Sequence, residues 1–415
     1  MSFTEVKNLD DLYIMPTYAR KQVEFVSGLA MTLRDSNDKT YLDFIAGVGA
    51  VSTGHCHPHV ASAVGAQAQT LVHTSNYYYS QTRSWVARAL SNLLENSCLD
   101  NVENSGDNSA CEQVWKTFFS NSGAEANECA IKLARLHGKQ VKAGANLIVT
   151  LNKSFHGRTL AALAATGQPG KQELFKPLPQ GFVHTPINDV AALQSLFANR
   201  GEEICAVMIE CIQGESGVHP CSFEFIDVIR TLCTENDALF IVDEVQTGMF
   251  RCGENAFAFQ NYKTRPDVVT IAKGVASGYP TGMCCAYGAY GDVLGPGDHG
   301  STFGGSQIAT AAAKATIEVL VKEKLGENSS EVGAYFKEKL QSIPQISQVR
   351  GSGLMLGCDV TEGISAPDVL DELLNRGFVA NCTGPRTLRF LPPLVCTKNH
   401  VDSMLGALSS ILGQC

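Results

Sequence analysis

Along most of this chain the apolar residues fall into short unbroken runs rather than into an alternating pattern. ANLIVTL at 145–151, CAVMIE at 205–210, ALFIV at 238–242 and DVVTIA at 267–272 each hold several consecutive hydrophobic positions. Runs of that length, bounded by polar residues, predict strands buried on both faces. Between them the period changes. After NSGAEAN, Cys129, Ala130, Leu133 and Ala134 recur at helical spacing, with Gly138 as the expected C-cap, and FEFIDVIRTLCTEN predicts a second helix. Short buried strands alternating with helices imply an α/β fold with a mainly parallel sheet covered on both faces. An Ala-rich helix is expected near 308–325, followed by a turn or linker at LGENSSE. The remainder, 331–415, reads as mixed strands with one amphipathic helix at APDVLDELLNRG. The expected division is therefore an N-terminal segment, 1–50, that joins a small α+β domain formed by 326–415, and a large domain over 51–325. The Asn/Ser-rich stretch NVENSGDNSAC at 101–111 is expected to be an exposed loop or insertion.

A length of 415 residues with 44% hydrophobic content agrees with two domains, since one hydrophobic core rarely organises so long a chain. The net charge of −9 comes from 41 acidic against 32 basic residues, with no dense Lys/Arg run, which excludes a nucleic-acid backbone as the expected partner. The N-terminal MSFTEVKNLDDLY is acidic and lacks an apolar stretch, and no segment approaches a membrane span, so a cytoplasmic location without membrane partners is expected. Fifteen cysteines without a CxxC pair fit reduced, buried thiols better than a disulfide framework.

Candidate chemistry gathers at the ends of the apolar runs. In ALFIVDEVQTG, Asp243 closes a buried strand, and in open α/β sheets ligands bind at that carboxyl edge. Taken alone, this aspartate could simply cap a turn. It could also be a Walker-B carboxylate, but no GxxxxGK[ST] accompanies it, and GQPGKQ at 167–172 lacks the spacing. In DVVTIAKGV, Lys273 ends a second run. A strand-end lysine is ordinarily a solvation device, yet the glycine that follows turns the backbone sharply away, leaving the amine in the cleft. Desolvation favours the neutral, nucleophilic amine that imine formation requires. The third element is NSGAEAN, where Ser122, Gly123, Ala124 and Glu125 form an SxxE capping box. Capping alone would explain it, but Gly123 also bares backbone amides at a helix N-terminus, which favours a phosphate. An anion cradle, an imine-forming lysine and a carboxylate for a pyridinium nitrogen are together what pyridoxal phosphate needs.

With the same motifs in order, MPTYAR, GHCHP, NSGAEAN, FHGRT, IQGE, DEVQTG, the lysine strand, HGSTFGG and LRFLPPL, the whole chain resembles the class III (ω-amino acid) aminotransferases, and within them the acetylornithine branch. The resemblance implies a pyridoxal-phosphate-dependent transferase of fold type I that works as a homodimer with shared active sites. It implies that Lys273 holds the cofactor in imine linkage and moves the proton between substrate Cα and the cofactor. Asp243 is expected to pair with the pyridine nitrogen, Gln246 to lie near the phenolic oxygen, and Val245 and Phe155 to cover the two ring faces. Ser122, Gly123 and Ala124 are expected to hold the phosphate, joined by Thr302 from the neighbouring subunit. Arg158 and Arg389 match the residues that take substrate carboxylates, for which a planar fork of donors is suited. Glu215 matches the glutamate that pairs with the second arginine when the donor has no second carboxylate. Val48, in AGVGAV, stands where ornithine δ-aminotransferases usually have tyrosine, which points to N2-acetylornithine as donor and 2-oxoglutarate as acceptor. Ornithine, succinylornithine, succinyl-diaminopimelate and 4-aminobutyrate remain alternatives. The chain departs from the family pattern at Cys211, where EPIQGE has proline, at Phe303, where STYGGNP has tyrosine, and at Ser306 and Gln307 in place of Asn-Pro.

Three other classes compete. His55, Cys56, His57 and His59 in GHCHPH suggest zinc, although they are confined to six residues and no distant partner motif follows. GSGLMLG at 351–357 is glycine-rich but lacks GxGxxG spacing, so close packing accounts for it better than a dinucleotide. A non-enzymatic assembly protein would have no use for the lysine, aspartate and phosphate motifs together.

Overall fold

A computed structural model of the chain describes residues 1–96 and 113–414. The expected loop at 101–111 lies outside the described residues. Seven strands form the central sheet: β1 Trp115–Ser120, β2 Leu147–Leu151, β3 Phe182–Thr185, β4 Ile204–Ile209, β5 Leu239–Asp243, β6 Val268–Ala272 and β7 Gly282–Tyr287. Their order is β1-β7-β6-β5-β4-β2-β3. Pairing is parallel from β6 through β5, β4 and β2 to β3, while β7 runs antiparallel to both β6 and β1. The sheet is thus mixed and mainly parallel, and the strands expected from the apolar runs are β2, β4, β5 and β6.

Unbroken apolar runs follow from burial on both faces. Along β4, Ala206 and Met208 pack into one core with Cys129, Ala130, Leu133 and Ala134 of the helix Gly123–Val141. Their neighbours Val207 and Ile209 enter the opposite core with Ile226 and Ile229 of the helix Phe223–Glu235. Alternate side chains of β4 therefore find apolar partners on each side.

A second, antiparallel sheet holds Ile346–Ser352, Met355–Val360, Thr387–Phe390 and Asn381–Cys382. GSGLMLG spans the hairpin between its first two strands. Near the N-terminus, Phe25–Leu29, Thr32–Asp35 and Thr40–Asp43 form a third sheet whose last partner is Phe378–Val379, with Leu42 opposite Phe378. No helix among the described residues is long and apolar enough to cross a membrane.

Three local expectations need correction. The helix after NSGAEAN does not stop at Gly138 but runs to Val141. A Cβ on Gly138 would meet the Ala145 carbonyl oxygen and Cys205 Cβ at 2.5 Å, so the glycine serves close packing inside the helix. LGENSSE is not a linker but the start of the helix Leu325–Gln341. Leu325, Val332 and Phe336 are buried along it, and the Ser329 hydroxyl donates to the Arg251 carbonyl at 3.1 Å. Besides the expected helix Ala366–Asn375, the C-terminal part holds a further one at Lys398–Leu412, which buries Val401, Met404, Leu405 and Leu408.

Candidate active site

Two neighbouring parallel strands end in the residues that carry the candidate chemistry. Asp243 is the last residue of β5, opposite Thr270 of β6, and Lys273 follows β6 directly. Asp243 is 4% exposed. Its Oδ2 accepts from His156 Nδ1 and from Asn127 Nδ2, both at 2.8 Å, and its Oδ1 accepts from the Val245 N–H at 3.0 Å. Burial acts to lower the His156 pKa, but the hydrogen bond and charge of Asp243, with Glu210 behind it, raise it overall.

Lys273 takes a left-handed φ of 49°, a conformation that costs an L-residue about 1–2 kcal/mol and is typical of functional positions. The turn is held by the Ser52 hydroxyl, which donates to the Gly274 carbonyl at 2.6 Å. Among the described residues the Lys273 amine has no hydrogen-bond or ion-pair partner. Burial lowers its pKa; Glu215 opposes that effect and Arg389 adds to it.

The helix Gly123–Val141 begins beside them. Ser122 Oγ accepts from the Glu125 N–H at 3.2 Å, and Glu125 Oε2 turns back to the Asn121 N–H at 2.7 Å. The capping interaction therefore closes one residue earlier than the SxxE pattern implies. The N–H groups of Gly123 and Ala124 have no acceptor among the described residues and stand at the positive end of the helix. A Cβ on Gly123 would lie 2.6 Å from Val245 Cγ1, so glycine is what lets the helix end approach that side chain.

Ser122, Gly123, Ala124, Phe155, Arg158, Asp243, Val245, Gln246 and Lys273 all line one cavity of about 410 Å³. Glu215 and Arg389 stand behind Gln246. Arg389 Nη1 donates to Glu215 Oε1 at 2.7 Å and to Gln246 Oε1 at 3.3 Å, while Gln246 Nε2 donates to Glu215 Oε1 at 3.1 Å. Burial pushes the Glu215 carboxyl up, but Arg389 outweighs it and holds the group down at about 2.

Val48 and Thr302 lie outside that cavity lining. Ala46, Gly47, Val48 and Gly49 all have positive φ. Asp43 Oδ1 steadies the turn by accepting from the Ile45 and Ala46 N–H groups at 2.8 and 2.9 Å, while its Oδ2 pairs with His55 Nε2 at 2.8 Å. GHCHPH thus supports the Val48 turn. His57 and His59 reach two other carboxylates, Glu323 and Glu318. Among the described residues no group of three or more His, Cys, Asp or Glu side chains could hold a metal ion. Thr302 is exposed, on a loop tethered by Asn76 Nδ2 to the carbonyls of Ser301 and Gly304 at 3.1 and 3.0 Å.

Sequence reasoning overlooked His156, Asn127 and Glu210. The first two lay within FHGRT and NSGAEAN, the motifs already singled out. Glu210 closes the run CAVMIE at the same sheet edge, which is the signal that found Asp243. Burial pushes its carboxyl up to about 7, and its Oε2 accepts from the Phe155 N–H at 2.9 Å. Because the folded value exceeds the ordinary 4.5, the fold favours the neutral acid. Its contribution to stability is full below pH 4.5 and is lost as pH rises through about 7. Glu210→Gln keeps the acceptor without the charge. Relative to the native protein it should gain on the order of 2–3 kcal/mol between pH 5 and 8 in urea unfolding; a difference independent of pH would contradict the assignment.

Comparison with known proteins agrees with this picture. The family model for class III aminotransferases matches residues 17–412. The acetylornithine aminotransferase of Methanocaldococcus jannaschii is 40% identical over 410 residues, covering 97% of each chain. The crystal structure of the Toxoplasma gondii ornithine aminotransferase superposes with a TM-score of 0.89 at 29% identity, covering 100% of this chain and 96% of that one. That of the Elizabethkingia anophelis acetylornithine aminotransferase gives 0.84 at 28%, covering all of both chains. The fold is that of the pyridoxal-phosphate-dependent aminotransferases. The chain belongs to the class III aminotransferase family and is a pyridoxal-phosphate-dependent transaminase.

Proposed function

We propose that the enzyme transfers the terminal amino group of N2-acetylornithine to 2-oxoglutarate, giving N-acetylglutamate 5-semialdehyde and glutamate, in arginine biosynthesis in the cytoplasm. The observation that carries the reading of the site is the meeting, in one cavity, of an amine and a helix end with two N–H groups, none with a partner among the described residues, and a triply hydrogen-bonded carboxylate. These residues fit pyridoxal phosphate: Gly123 and Ala124 for the phosphate, Val245 and Phe155 for the ring faces, Asp243 for the ring nitrogen. When bound, the cofactor supplies an aldehyde and an electron-accepting ring. Lys273 Nζ, whose pKa is lowered, takes and returns the substrate Cα proton. Asp243, oriented by His156, keeps a negative charge at the ring nitrogen. Glu215 covers Arg389 while the acetylated donor is bound, and releases it to take the second carboxylate of 2-oxoglutarate.

For the donor, support comes from relatives about 40% identical over their full length that are acetylornithine aminotransferases. The likeness to ornithine aminotransferase structures favours ornithine as a second reading. Each amine mixed with holoenzyme, without oxoacid, separates the two. N2-acetylornithine should bleach the cofactor's visible absorbance fastest; faster bleaching by ornithine would replace the proposed donor.

The division into a large domain at 51–325 and a small one built from 1–50 and 326–415 is supported by the pairing of Phe378 and Val379 with Leu42 and Asp43. The homodimer is supported by exposed aromatics next to Thr302. Tyr77, Tyr78, Tyr79 and Phe303 are 93%, 67%, 104% and 63% exposed, more apolar surface than an isolated chain ordinarily leaves in water. In this reading a second copy covers them and receives Thr302 at its phosphate. Sedimentation as a monomer would remove the shared site. The reduced compartment is supported by cysteines that are free thiols and mostly buried among the described residues.

A further inference from the structure

The two strands that lead to Asp243 and Lys273 begin at a second cavity. Ala238, just before β5, and Asp267, just before β6, line it together with Tyr287, the last residue of antiparallel β7. Each of the two parallel strands has five residues, so at a rise of about 3.3 Å per residue this cavity lies roughly 15 Å away, at the opposite edge of the sheet. Its volume, about 760 Å³, exceeds the 410 Å³ of the active-site cavity and falls in the range of small-molecule sites.

Part of its lining is committed to the fold. Asp267 Oδ2 accepts from the Phe240 N–H at 2.7 Å and from Arg230 Nη1 at 3.0 Å, and the same Nη1 donates to the Arg265 carbonyl at 3.3 Å. Arg265 Cζ lies 3.9 Å from the centroid of the Tyr287 ring, and its Nη1 donates to the Tyr287 hydroxyl at 3.0 Å, with Glu95 Oε2 at 4.0 Å. A guanidinium fixed against an aromatic ring on one face offers the other face for stacking. Buried His137, Cys233 and Ala238 form the floor, with the Tyr290 ring edge-on to His137 at 5.3 Å. Burial lowers the His137 pKa, so the floor is uncharged at neutral pH. Two charged lining groups are left over. Among the described residues, neither Lys263 Nζ nor the Asp237 carboxylate has a hydrogen-bond or ion-pair partner.

We propose that this second cavity binds a nucleoside monophosphate, with the base stacked on the Arg265 guanidinium, the phosphate paired with Lys263 and the ribose hydroxyls donating to Asp237. The three groups select that class together. The platform asks for a flat ring, the free ammonium for an anion, and the free carboxylate for a hydrogen-bond donor. Inorganic phosphate and simple carboxylates meet only the second demand, and an amino acid leaves the platform bare. The site is separate from the one that holds the cofactor, so it does not depend on which amine the enzyme uses.

The test uses holoenzyme and measures binding of adenosine monophosphate by calorimetry, with adenosine and inorganic phosphate as part ligands. The native protein should bind adenosine monophosphate saturably with a Kd below about 1 mM, adenosine more weakly and inorganic phosphate most weakly. In Lys263→Gln the Kd for adenosine monophosphate should rise about tenfold, the loss of one charge-assisted contact, while that for adenosine stays the same. Arg265→Ala should weaken both ligands, and Asp237→Ala should weaken adenosine. All three side chains are exposed, so the variants should keep the native melting temperature. Saturating glutarate, a dicarboxylate that cannot transaminate, should leave the affinity for adenosine monophosphate unchanged, because the two cavities lie at opposite sheet edges. Absence of saturable binding at about 1 mM, displacement by glutarate, or equal affinity for inorganic phosphate would overturn the proposal. So would native affinity for adenosine monophosphate in both Lys263→Gln and Arg265→Ala, which would put the nucleotide elsewhere on the protein.

Discussion

Lys273→Ala should abolish the cofactor's visible absorbance and slow amino transfer by at least about 10⁴-fold, the combined loss of a covalent attachment point and a proton carrier. The variant should nevertheless fold. The native amine is buried with no acceptor among the described residues, so truncating it removes a desolvation cost without orphaning a partner. Its melting temperature should therefore equal or exceed that of the native protein when both are stripped of cofactor. Lys273→Arg keeps a cation but not a nucleophile and should be equally inactive, which separates charge from chemistry. Added methylamine, small enough to enter the vacated space, should restore part of the proton-transfer rate. Turnover within tenfold of the native enzyme in Lys273→Ala would show that another group does the work.

That lysine was legible in the sequence because two signals coincide there. An apolar run long enough to be buried on both faces ended in a cation, and a second such run, ALFIV, ended in Asp243. Parallel pairing then brings the two ends together, with Asp243 opposite Thr270, a consequence of the fold class and not of any one residue. Glu210 carried the same signal but was read as part of its strand, because a carboxylate after an apolar run is only informative once its neighbours are known. His156 was harder. Its role depends on its contact with Asp243, and local spacing holds no record of which distant side chain an imidazole will meet. LGENSSE misled for a different reason. Its glycine and serines suggested a flexible connection, yet Ser329 is buried and bonded to the Arg251 carbonyl. Small polar residues at helical spacing beside Leu325, Val332 and Phe336 mark close packing. The helix Lys398–Leu412 could have been found, since its buried residues recur at the three-and-four spacing of an amphipathic face.

Asp243→Asn should lower kcat by about 10³-fold, the effect of losing a buried charge worth roughly 3–5 kcal/mol to its partner. The substitution changes almost no volume, so geometry and charge can be separated. Native Asp243 only accepts: from His156 and Asn127 at Oδ2 and from Val245 at Oδ1. An asparagine must present its NH₂ to one of those donors, leaving a buried donor unpaired at a cost of about 1–3 kcal/mol. A fall in stability of that size in urea unfolding is therefore expected beside the kinetic loss. The imidazole offers a second readout. In the native protein Asp243 overcomes burial and lifts His156 above its ordinary 6.5. Without the carboxylate's charge, burial prevails, and the ring should titrate below 6.5 when followed by NMR. His156→Ala keeps the carboxylate and its hydrogen bonds from Asn127 and the Val245 N–H, so it should cost less in kcat than Asp243→Asn. If His156 still titrated above 6.5 in Asp243→Asn, or kcat fell less than tenfold, the carboxylate would not be the group that holds charge at the ring nitrogen, and His156 would owe its raised pKa to Glu210 instead.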